Sequence, residues 1–279
     1  MFDEIFQKKY HSIYPNDLHL KHELRYFIIK KRITQSVLEY IKHIDKHDIF
    51  ICDIGWWYGY DDILIAELMK IHCPEKKLHI TVIDPTIDFY NKVHKLQDSD
   101  ILKQQQIHYI EESLLTMDIS THREKYDIII CSEVIEHLLS NEQEVFFAQF
   151  NRILKPQWLI ALTCPNGSSF IKQIAWLWTR KQKNYALFDA EFHYRYSHIG
   201  VPTLFQVVWL FVRKWFAVEH ISPSALISAF KNTRLMRTIN SILLCVPFLS
   251  LFFSTTNVYI AKKENDIDET KRYNRVNSF

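Results

Sequence analysis

Hydrophobic positions change their spacing several times along the chain, and each change predicts a different element. Residues 17–46 place apolar side chains three and four positions apart among charged ones, which indicates an amphipathic helix. Helical spacing returns at 61–71, at 86–104, after a Ser140–Gln143 capping box and at 203–215. Short apolar runs stand between these helices and predict strands at 49–54, 78–83, 107–110, 127–131, 158–163, 216–222 and 257–262.

Strands that alternate with helices indicate βαβ units, and therefore a parallel sheet. We predict an α/β fold, with a Rossmann-like, seven-stranded, mostly parallel sheet, helices on both faces and an N-terminal helical cap. The predicted division of the chain is a cap at 1–47, the sheet-containing domain at 48–264 and a polar tail at 265–279. Inside the domain we predict an insertion at 168–200 and apolar helices at 224–253.

The most apolar run, Ile242–Phe253, is the candidate for a membrane-spanning segment. It covers 12 residues and contains Pro247, whereas a spanning helix needs about 20 apolar residues. We therefore predict that it forms buried or cap-forming helices and does not span a bilayer. Peripheral contact with a membrane surface is the alternative, because basic residues lie just upstream at Lys231, Arg234 and Arg237.

Charge and cysteine usage narrow the class of protein. The formal net charge is only +2, so the chain as a whole offers no electrostatic basis for binding nucleic acid, and we predict no such partner. The five cysteines are scattered without a C-x-x-C pair, which disfavours a disulfide framework or a zinc knuckle. The polar N-terminus lacks the apolar segment of a signal peptide. These features predict a cytoplasmic location.

The turn after the first predicted strand carries the sharpest chemical signal. Asp53 ends that strand, and Gly55 and Gly59 follow where the chain turns into a helix. Glycines at such a turn let the backbone approach a ligand that faces the helix N–H groups. Asp84 ends the second strand, where an acid in a Rossmann-like sheet binds ribose hydroxyls. Any βα turn favours glycine, so it is the combination with Asp84 that indicates a ligand site.

A second group, Glu133-x-x-Glu136-His137, follows the fourth strand. On a helix these positions share one face, so two carboxylates and an imidazole would converge at the carboxyl edge of the sheet. Histidine suits proton transfer near neutral pH, and we predict that His137 and Glu136 act on an acceptor. Two alternatives stay open. One is a helix-start hydrogen-bond pair beside a cofactor, and the other is a Mg²⁺ or Mn²⁺ site.

Two basic stretches complete the candidate chemistry. Trp176–Tyr196 mixes aromatic and basic residues that suit a sugar, a lipid head group or a phosphate, or that simply pack an insertion on the sheet. The run Lys30-Lys31-Arg32 is interpreted as a solvated helix face, given the balanced total charge.

Between residues 45 and 264 the chain resembles the class I S-adenosylmethionine-dependent methyltransferases, and within them the ubiquinone-type and glycan-pathway O-methyltransferases. The resemblance rests on four stretches in order: Asp53–Gly59, Val82–Pro85, Tyr126–Leu138 and Arg152–Asn166. It implies S-adenosyl-L-methionine as the cofactor. It also implies methyl transfer to an oxygen of a small-molecule, glycan or lipid-linked acceptor.

The resemblance also implies roles for individual residues. The expected cofactor-binding positions are Asp53, Gly55, Trp56 and Gly59 for the methionine moiety, Asp84 and Pro85 for the ribose, Ser113 near the adenine, and Cys131, Ser132 and Glu133 beside the reacting centre. Glu136 and His137 are the expected catalytic residues. No metal ligand is predicted.

Departures from the family pattern keep two other classes of function open. Trp57 replaces the middle glycine of the loop, and Ser113 replaces an acid near the adenine. A bulky Trp57 that filled the cofactor site would make the chain a non-catalytic binding or scaffold protein. A nicotinamide-dependent Rossmann enzyme is disfavoured, because the loop lacks the G-x-G-x-x-G order.

Overall fold

A computed structural model describes residues 2–13, 24–55, 60–85, 107–169, 200–225, 251, 254 and 256–264. The strands among them are β1 (Asp48–Ile54), β2 (Lys77–Ile83), β3 (Ile107–Ile110), β4 (Tyr126–Ser132), β5 (Leu154–Pro165), β6 (Phe216–Ala225) and β7 (Thr256–Lys263). They form one sheet in the order β3-β2-β1-β4-β5-β7-β6. Strand β7 is antiparallel to β5 and β6, while β1 to β5 pair in parallel. The predicted mostly parallel α/β sheet is confirmed.

Helices cover both faces of this sheet. On one face lie α1 (Phe2–Ile13), α2 (Leu24–Lys42) and α3 (Tyr60–His72), and on the other lie α4 (Ser140–Ile153) and α5 (Leu204–Arg213). Successive strand residues point to opposite faces, so each strand supplies side chains to two hydrophobic clusters. Ile51 and Ile128 pack with α1–α3, whereas Ile54 and Ile129 pack with α4 and α5.

The N-terminal helices belong to the same core as the strands. Helix α2 buries a stripe of residues four positions apart, which are Ile29, Ile33, Val37 and Ile41. Helix α1 was not predicted as an element of its own. Its apolar residues also recur every four positions, and Phe6 and Tyr10 are fully buried with their rings stacked at 5.9 Å. The helices of the predicted cap therefore pack directly on the sheet and form part of one of its two helical layers.

Three predicted boundaries are wrong. The predicted capping box is shifted, because α4 has Leu139 at its N-cap, and the Leu139 N–H donates to the Glu142 carboxylate at 2.7 Å. Strand β5 begins at Leu154, directly after α4 ends, and not at residue 158. Strand β6 continues to Ala225, so the predicted apolar helices do not start at residue 224.

Several predicted segments lie outside the described residues. They are the helix at 86–104, residues 170–199 of the insertion, most of the 242–253 run, the basic residues upstream of that run, and the tail at 265–279. Among the residues that the structure does describe, none of the helices combines the length and apolarity needed to cross a bilayer. Contact with a membrane surface stays a prediction.

A buried carboxylate ties the amino ends of the central strands together. Asp127, at the start of β4, is fully buried, and its Oδ1 accepts hydrogen bonds from Lys46 Nζ (3.0 Å) and Lys155 Nζ (2.7 Å). Its Oδ2 accepts from the Phe50 backbone N–H of β1 at 2.9 Å. The Lys46 ammonium also lies 4.1 Å from the centre of the Trp158 ring. This cluster stands at the edge of the sheet opposite the predicted ligand site.

Asp127→Asn is expected to lower the free energy of unfolding by about 2 kcal/mol, because it leaves two ammonium groups without their counter-charge. The loss stays moderate because the Lys46 and Lys155 side chains are 41% and 25% exposed and keep part of their hydration. Urea unfolding followed by circular dichroism measures the change. Lys46→Gln is the matched control and should cost less. An unaltered urea midpoint in Asp127→Asn would show that the cluster contributes nothing to stability.

Candidate active site

The carboxyl ends of β1, β2 and β4 bring the predicted cofactor residues to one edge. Strand β1 pairs in parallel with both neighbours, and Ile54 is opposite Ile83 of β2 and Cys131 of β4. The Gly55 N–H donates to the Ile83 carbonyl at 3.0 Å, so the loop after β1 starts beside the end of β2. Asp84 follows directly and is partly exposed. Its neighbour Pro85 is exposed, whereas the predicted Trp56 and Gly59, and Trp57 between them, lie outside the described residues.

Gly55 adopts a backbone conformation that other residues rarely adopt. Its φ is +79°, in the left-handed region. A Cβ at this position would lie 2.2 Å from Val134 Cγ2, well inside van der Waals contact. The backbone therefore turns tightly at the end of β1 and passes close to the segment that follows β4. The tight turn that the glycine pattern predicted is confirmed, while the approach of this backbone to a ligand stays a prediction.

A row of polar side chains lines the helix α2 side of this edge. Asp53 is 3% exposed. It lies two residues after Ile51 in β1, so its side chain is on the same face of the sheet as Ile51, which packs against α1–α3. On β4 the Ser132 hydroxyl accepts a hydrogen bond from Lys30 Nζ at 3.3 Å and is hydrogen-bonded to the Thr163 hydroxyl at 3.1 Å. Lys30 and Thr163 were not predicted as site residues. Lys30 follows the buried Ile29 in α2, which is the only sequence signal that it turns toward the sheet.

Negative charge is concentrated at the end of β4. The Cys131 side chain is fully buried and belongs to the core on the α4 side, so only its backbone is placed to meet a ligand at the edge. Burial raises the pKa of the Cys131 thiol well above its usual value, and the carboxylates of Asp53, Glu136 and Glu133 raise it further. The carboxylates of Asp53, Glu136 and Glu133 thus lie within electrostatic range of the end of β4.

The helix predicted for Glu133–His137 is wrong. Glu133 has φ +57° and its N–H donates to the Thr163 carbonyl at 3.0 Å, which continues the pairing of β4 with β5. The chain then forms a single 3₁₀ turn at Ile135–His137. Glu133 and the other two residues therefore do not share a helix face. Glu136 is fully buried, whereas Glu133 and His137 are partly exposed at the edge.

Gln143 of α4 holds this turn in place. Its side-chain amide donates to the carbonyls of Ile135 (2.9 Å), Leu138 (3.1 Å) and Gly200. The Gly200 N–H in turn donates to the Glu136 carbonyl at 3.0 Å, and a Cβ on Gly200 would lie 1.9 Å from the Leu138 carbonyl oxygen. The sequence placed Gln143 in a capping box, so its role in fixing the Glu136–His137 turn was missed.

Ser113 lies shortly after β3, as predicted, and its polar atoms stabilise a turn. The hydroxyl accepts a hydrogen bond from the Leu115 N–H at 3.3 Å. The Ser113 carbonyl accepts from Thr116 (3.0 Å) and Met117 (2.9 Å). No cluster of three or more His, Cys, Asp or Glu side chains in the described part of the chain is arranged to hold a metal ion.

Known structures share this architecture. The magnesium protoporphyrin IX methyltransferase of Synechocystis, solved with bound SAH, superposes with a TM-score of 0.58 at 10% identity, over 94% of this chain and 96% of that chain. A SAM-dependent methyltransferase of Methanosarcina mazei superposes with a TM-score of 0.51 at 16% identity, over 81% of this chain and 98% of that chain. At these identities the likeness establishes the class I methyltransferase fold.

Sequence comparison places the chain in a family. The model described as "Methyltransferase domain" matches residues 31–211, from the middle of α2 to α5 and thus more than half of the chain. A search of curated protein sequences finds no match. The chain belongs to the methyltransferase-domain family, and its fold is that of a class I S-adenosylmethionine-dependent methyltransferase.

Proposed function

We propose that this chain binds S-adenosyl-L-methionine at the carboxyl edge of β1, β2 and β4 and transfers its methyl group to an acceptor oxygen. The observation that carries the proposal is the close backbone approach at Gly55 beside the Asp84 carboxylate at the neighbouring strand end. The cofactor supplies a methyl group on a sulfonium, which is already a strong electrophile. The protein therefore contributes mainly binding, orientation and exclusion of water.

The residues at this edge fit the parts of the cofactor. The tight turn at Gly55, packed against Val134, brings the backbone of the loop after β1 to the end of β2, where the methionine moiety is proposed to bind. Asp84 is partly exposed at the end of β2, where its carboxylate is able to accept hydrogen bonds from two ribose hydroxyls. Pro85 follows beside it, and Ser113 lies on the adenine side of the same edge.

The charges at the end of β4 support a cationic ligand. Asp53, Glu133 and Glu136 act together on the Cys131 thiol, so their carboxylates lie within electrostatic range of this strand end. A sulfonium and an ammonium are both stabilised by carboxylates at short range. Backbone groups of Cys131 and Ser132 complete the wall on this side.

Glu136 and His137 are proposed to act on the acceptor. His137 is partly exposed at the edge, and its imidazole is able to take or orient the proton of an acceptor hydroxyl. Gln143 and Gly200 fix the backbone of the turn that carries both residues, which limits the movement of the imidazole. The acceptor class we propose is a small-molecule, glycan or lipid-linked hydroxyl compound.

Asp84→Ala is expected to weaken binding of S-adenosylmethionine by about tenfold or more, the usual cost of losing a hydrogen bond to a charged group. Asp118→Ala is the matched control, because this carboxylate caps a turn at Ser120 away from the edge. Equilibrium dialysis with labelled cofactor measures both variants. Equal affinities for Asp84→Ala and the parent protein would remove Asp84 from the site. Absence of binding in the parent protein would overturn the proposed function.

A further inference from the structure

A cavity lies on the α2 face of the sheet, separate from the predicted cofactor edge. It is an open cleft of about 980 Å³ between α2 and β6. One wall is a stripe of α2 that runs from Arg32 through Ser36 and Tyr40 to His43. The other wall is the stretch of β6 from Glu219 to Pro223, which includes His220 and Ser222.

Arg32 is the distinctive residue of this cleft. It is half-buried, and in the part of the chain that the structure describes its guanidinium has neither a hydrogen bond nor an ion pair. Burial lowers the pKa of Arg32, and no carboxylate offsets this effect. Removing a guanidinium from water without a partner costs free energy, so this arrangement suits a site whose counter-charge arrives with a ligand.

The carboxylates that line the cleft are engaged elsewhere. Glu39 accepts a hydrogen bond from the Gln35 side chain at 2.8 Å, and Glu219 forms an ion pair with Lys262 at 2.9 Å. The Tyr40 hydroxyl donates to the Gln157 carbonyl at 2.7 Å. Among the residues that the structure describes, neither carboxylate therefore pairs with Arg32.

The floor of the cleft is apolar. Its centre is formed by Leu159 of β5 and Ile260 of β7, and its rim at the edge of the sheet by Ile221 of β6 and by Leu251, which also pack against the core on the α4–α5 side. Leu159 and Ile260 are almost fully buried in the core below. A hydrocarbon group placed on this floor would leave water and gain about 25 cal/mol for each Å² that it buries.

We propose that the α2–β6 cleft binds an amphipathic phosphate, with the phosphate on Arg32 and the hydrocarbon body on the floor formed by β5, β6 and β7. The planar guanidinium matches two phosphate oxygens at once. The Ser36 and Ser222 hydroxyls in the two walls are able to donate to the remaining oxygen. This ligand site is separate from methyl transfer and does not depend on the proposed function.

The cleft nevertheless opens close to the methyl-transfer edge. Ser222 is opposite Val258 in β7, Val258 is opposite Thr163 in β5, and the Thr163 hydroxyl is bonded to Ser132 in β4. Three strand spacings, about 14 Å in total, separate Ser222 from Ser132. A ligand in the cleft therefore lies beside the cofactor site without overlapping it.

The test measures binding of dodecyl phosphate, below its critical micelle concentration, to the full chain by isothermal titration calorimetry. Arg32→Gln is expected to weaken binding about tenfold or more, whereas the matched control Lys31→Gln should bind like the parent protein. Lys31 lies on the same helix, outside the cleft, in an exposed ion pair with Asp3. Because Arg32 has no partner among the described residues, Arg32→Gln should melt no lower than the parent protein.

A second binding experiment distinguishes a lipid head group in a membrane from a phosphate ester in solution. Sedimentation with phosphatidylcholine vesicles that contain phosphatidic acid tests a lipid head group in a membrane, again with Arg32→Gln and Lys31→Gln. Arg32-dependent binding in either arm supports the site and identifies the source. The proposal is overturned if both arms show no binding, if Arg32→Gln binds as tightly as the parent protein, or if dodecanol binds as tightly as dodecyl phosphate.

Discussion

Gly55→Ala is expected to reduce the affinity for S-adenosylmethionine about a hundredfold or more. The added methyl group would lie 2.2 Å from Val134 Cγ2, and φ +79° costs a residue with a side chain about 1–2 kcal/mol. The chain can relieve both only by moving the loop after β1 away from the strand ends. That movement withdraws the backbone from the proposed site of the methionine moiety. Calorimetric titration with the cofactor measures the loss.

Two controls separate this effect from a general loss of structure. Val134→Ala alone should bind like the parent protein, and the double variant should recover part of the affinity because the steric overlap is removed. The circular dichroism spectrum of Gly55→Ala should match that of the parent protein below the unfolding transition. Gly55→Ala with full affinity would show that the loop does not contact the cofactor.

His137→Gln is expected to lower turnover about a hundredfold while it leaves cofactor affinity within about 1 kcal/mol. Glutamine keeps some hydrogen bonding but removes the group that titrates. Turnover is measured as S-adenosylhomocysteine formation, with whichever acceptor in a panel of phenols, sugars and prenyl-linked alcohols reacts fastest.

Two other outcomes of the His137→Gln experiment would assign a different role to the turn that carries Glu136 and His137. Turnover that depends on Mg²⁺, and is abolished by chelation, would make Glu133, Glu136 and His137 a metal site and overturn the proton-transfer role. Unchanged turnover in His137→Gln would mean that the 3₁₀ turn has only a structural role. The hydrogen bonds from Gln143 would then stabilise the fold and not a catalytic residue. Gln149→Ala, a buried change elsewhere on α4, is the control for effects transmitted through that helix.

The sheet was predictable from the sequence because its strands are buried on both faces. In β4, residues 128–131 are all apolar and buried, so they form an unbroken hydrophobic run. Helix α1 was missed because its many charged residues conceal a four-residue apolar repeat that becomes significant only when Phe6 and Tyr10 meet the core. The start of α4 was shifted by one residue because Ser140 and Gln143 also have the spacing of a capping box, whereas in the structure Glu142 accepts from the Leu139 N–H.

The geometry of the candidate site could be predicted where neighbouring residues in the sequence determine it. It could be predicted less well where contacts between distant segments determine it. The positions of Gly55 and Asp84 at one edge of the sheet could be predicted because a βα turn fixes its own geometry. The Glu133–His137 turn was misassigned, because a helix was assumed where the Glu133 N–H bonds to Thr163, which is distant in sequence.

The run Lys30-Lys31-Arg32 in α2 is a second case in which contacts with distant segments could not be predicted from the sequence. Successive helix residues point about 100° apart, so three adjacent cations reach three environments. Lys30 reaches Ser132, Lys31 reaches Asp3, and Arg32 enters the cleft between α2 and β6. The interpretation of this run as one solvated face is wrong for Lys30 and Arg32.

The most direct test of the central claim is calorimetric titration of the parent chain with S-adenosylhomocysteine, with NADH as the comparison ligand. The structure predicts saturable binding of S-adenosylhomocysteine at one site per chain and no heat of binding for NADH. Because a ligand that binds only the folded state stabilises it, the melting temperature should rise with the same selectivity. Saturable binding of NADH, or no binding of S-adenosylhomocysteine, would contradict the assignment of the carboxyl edge of β1, β2 and β4 as a methyl-donor site.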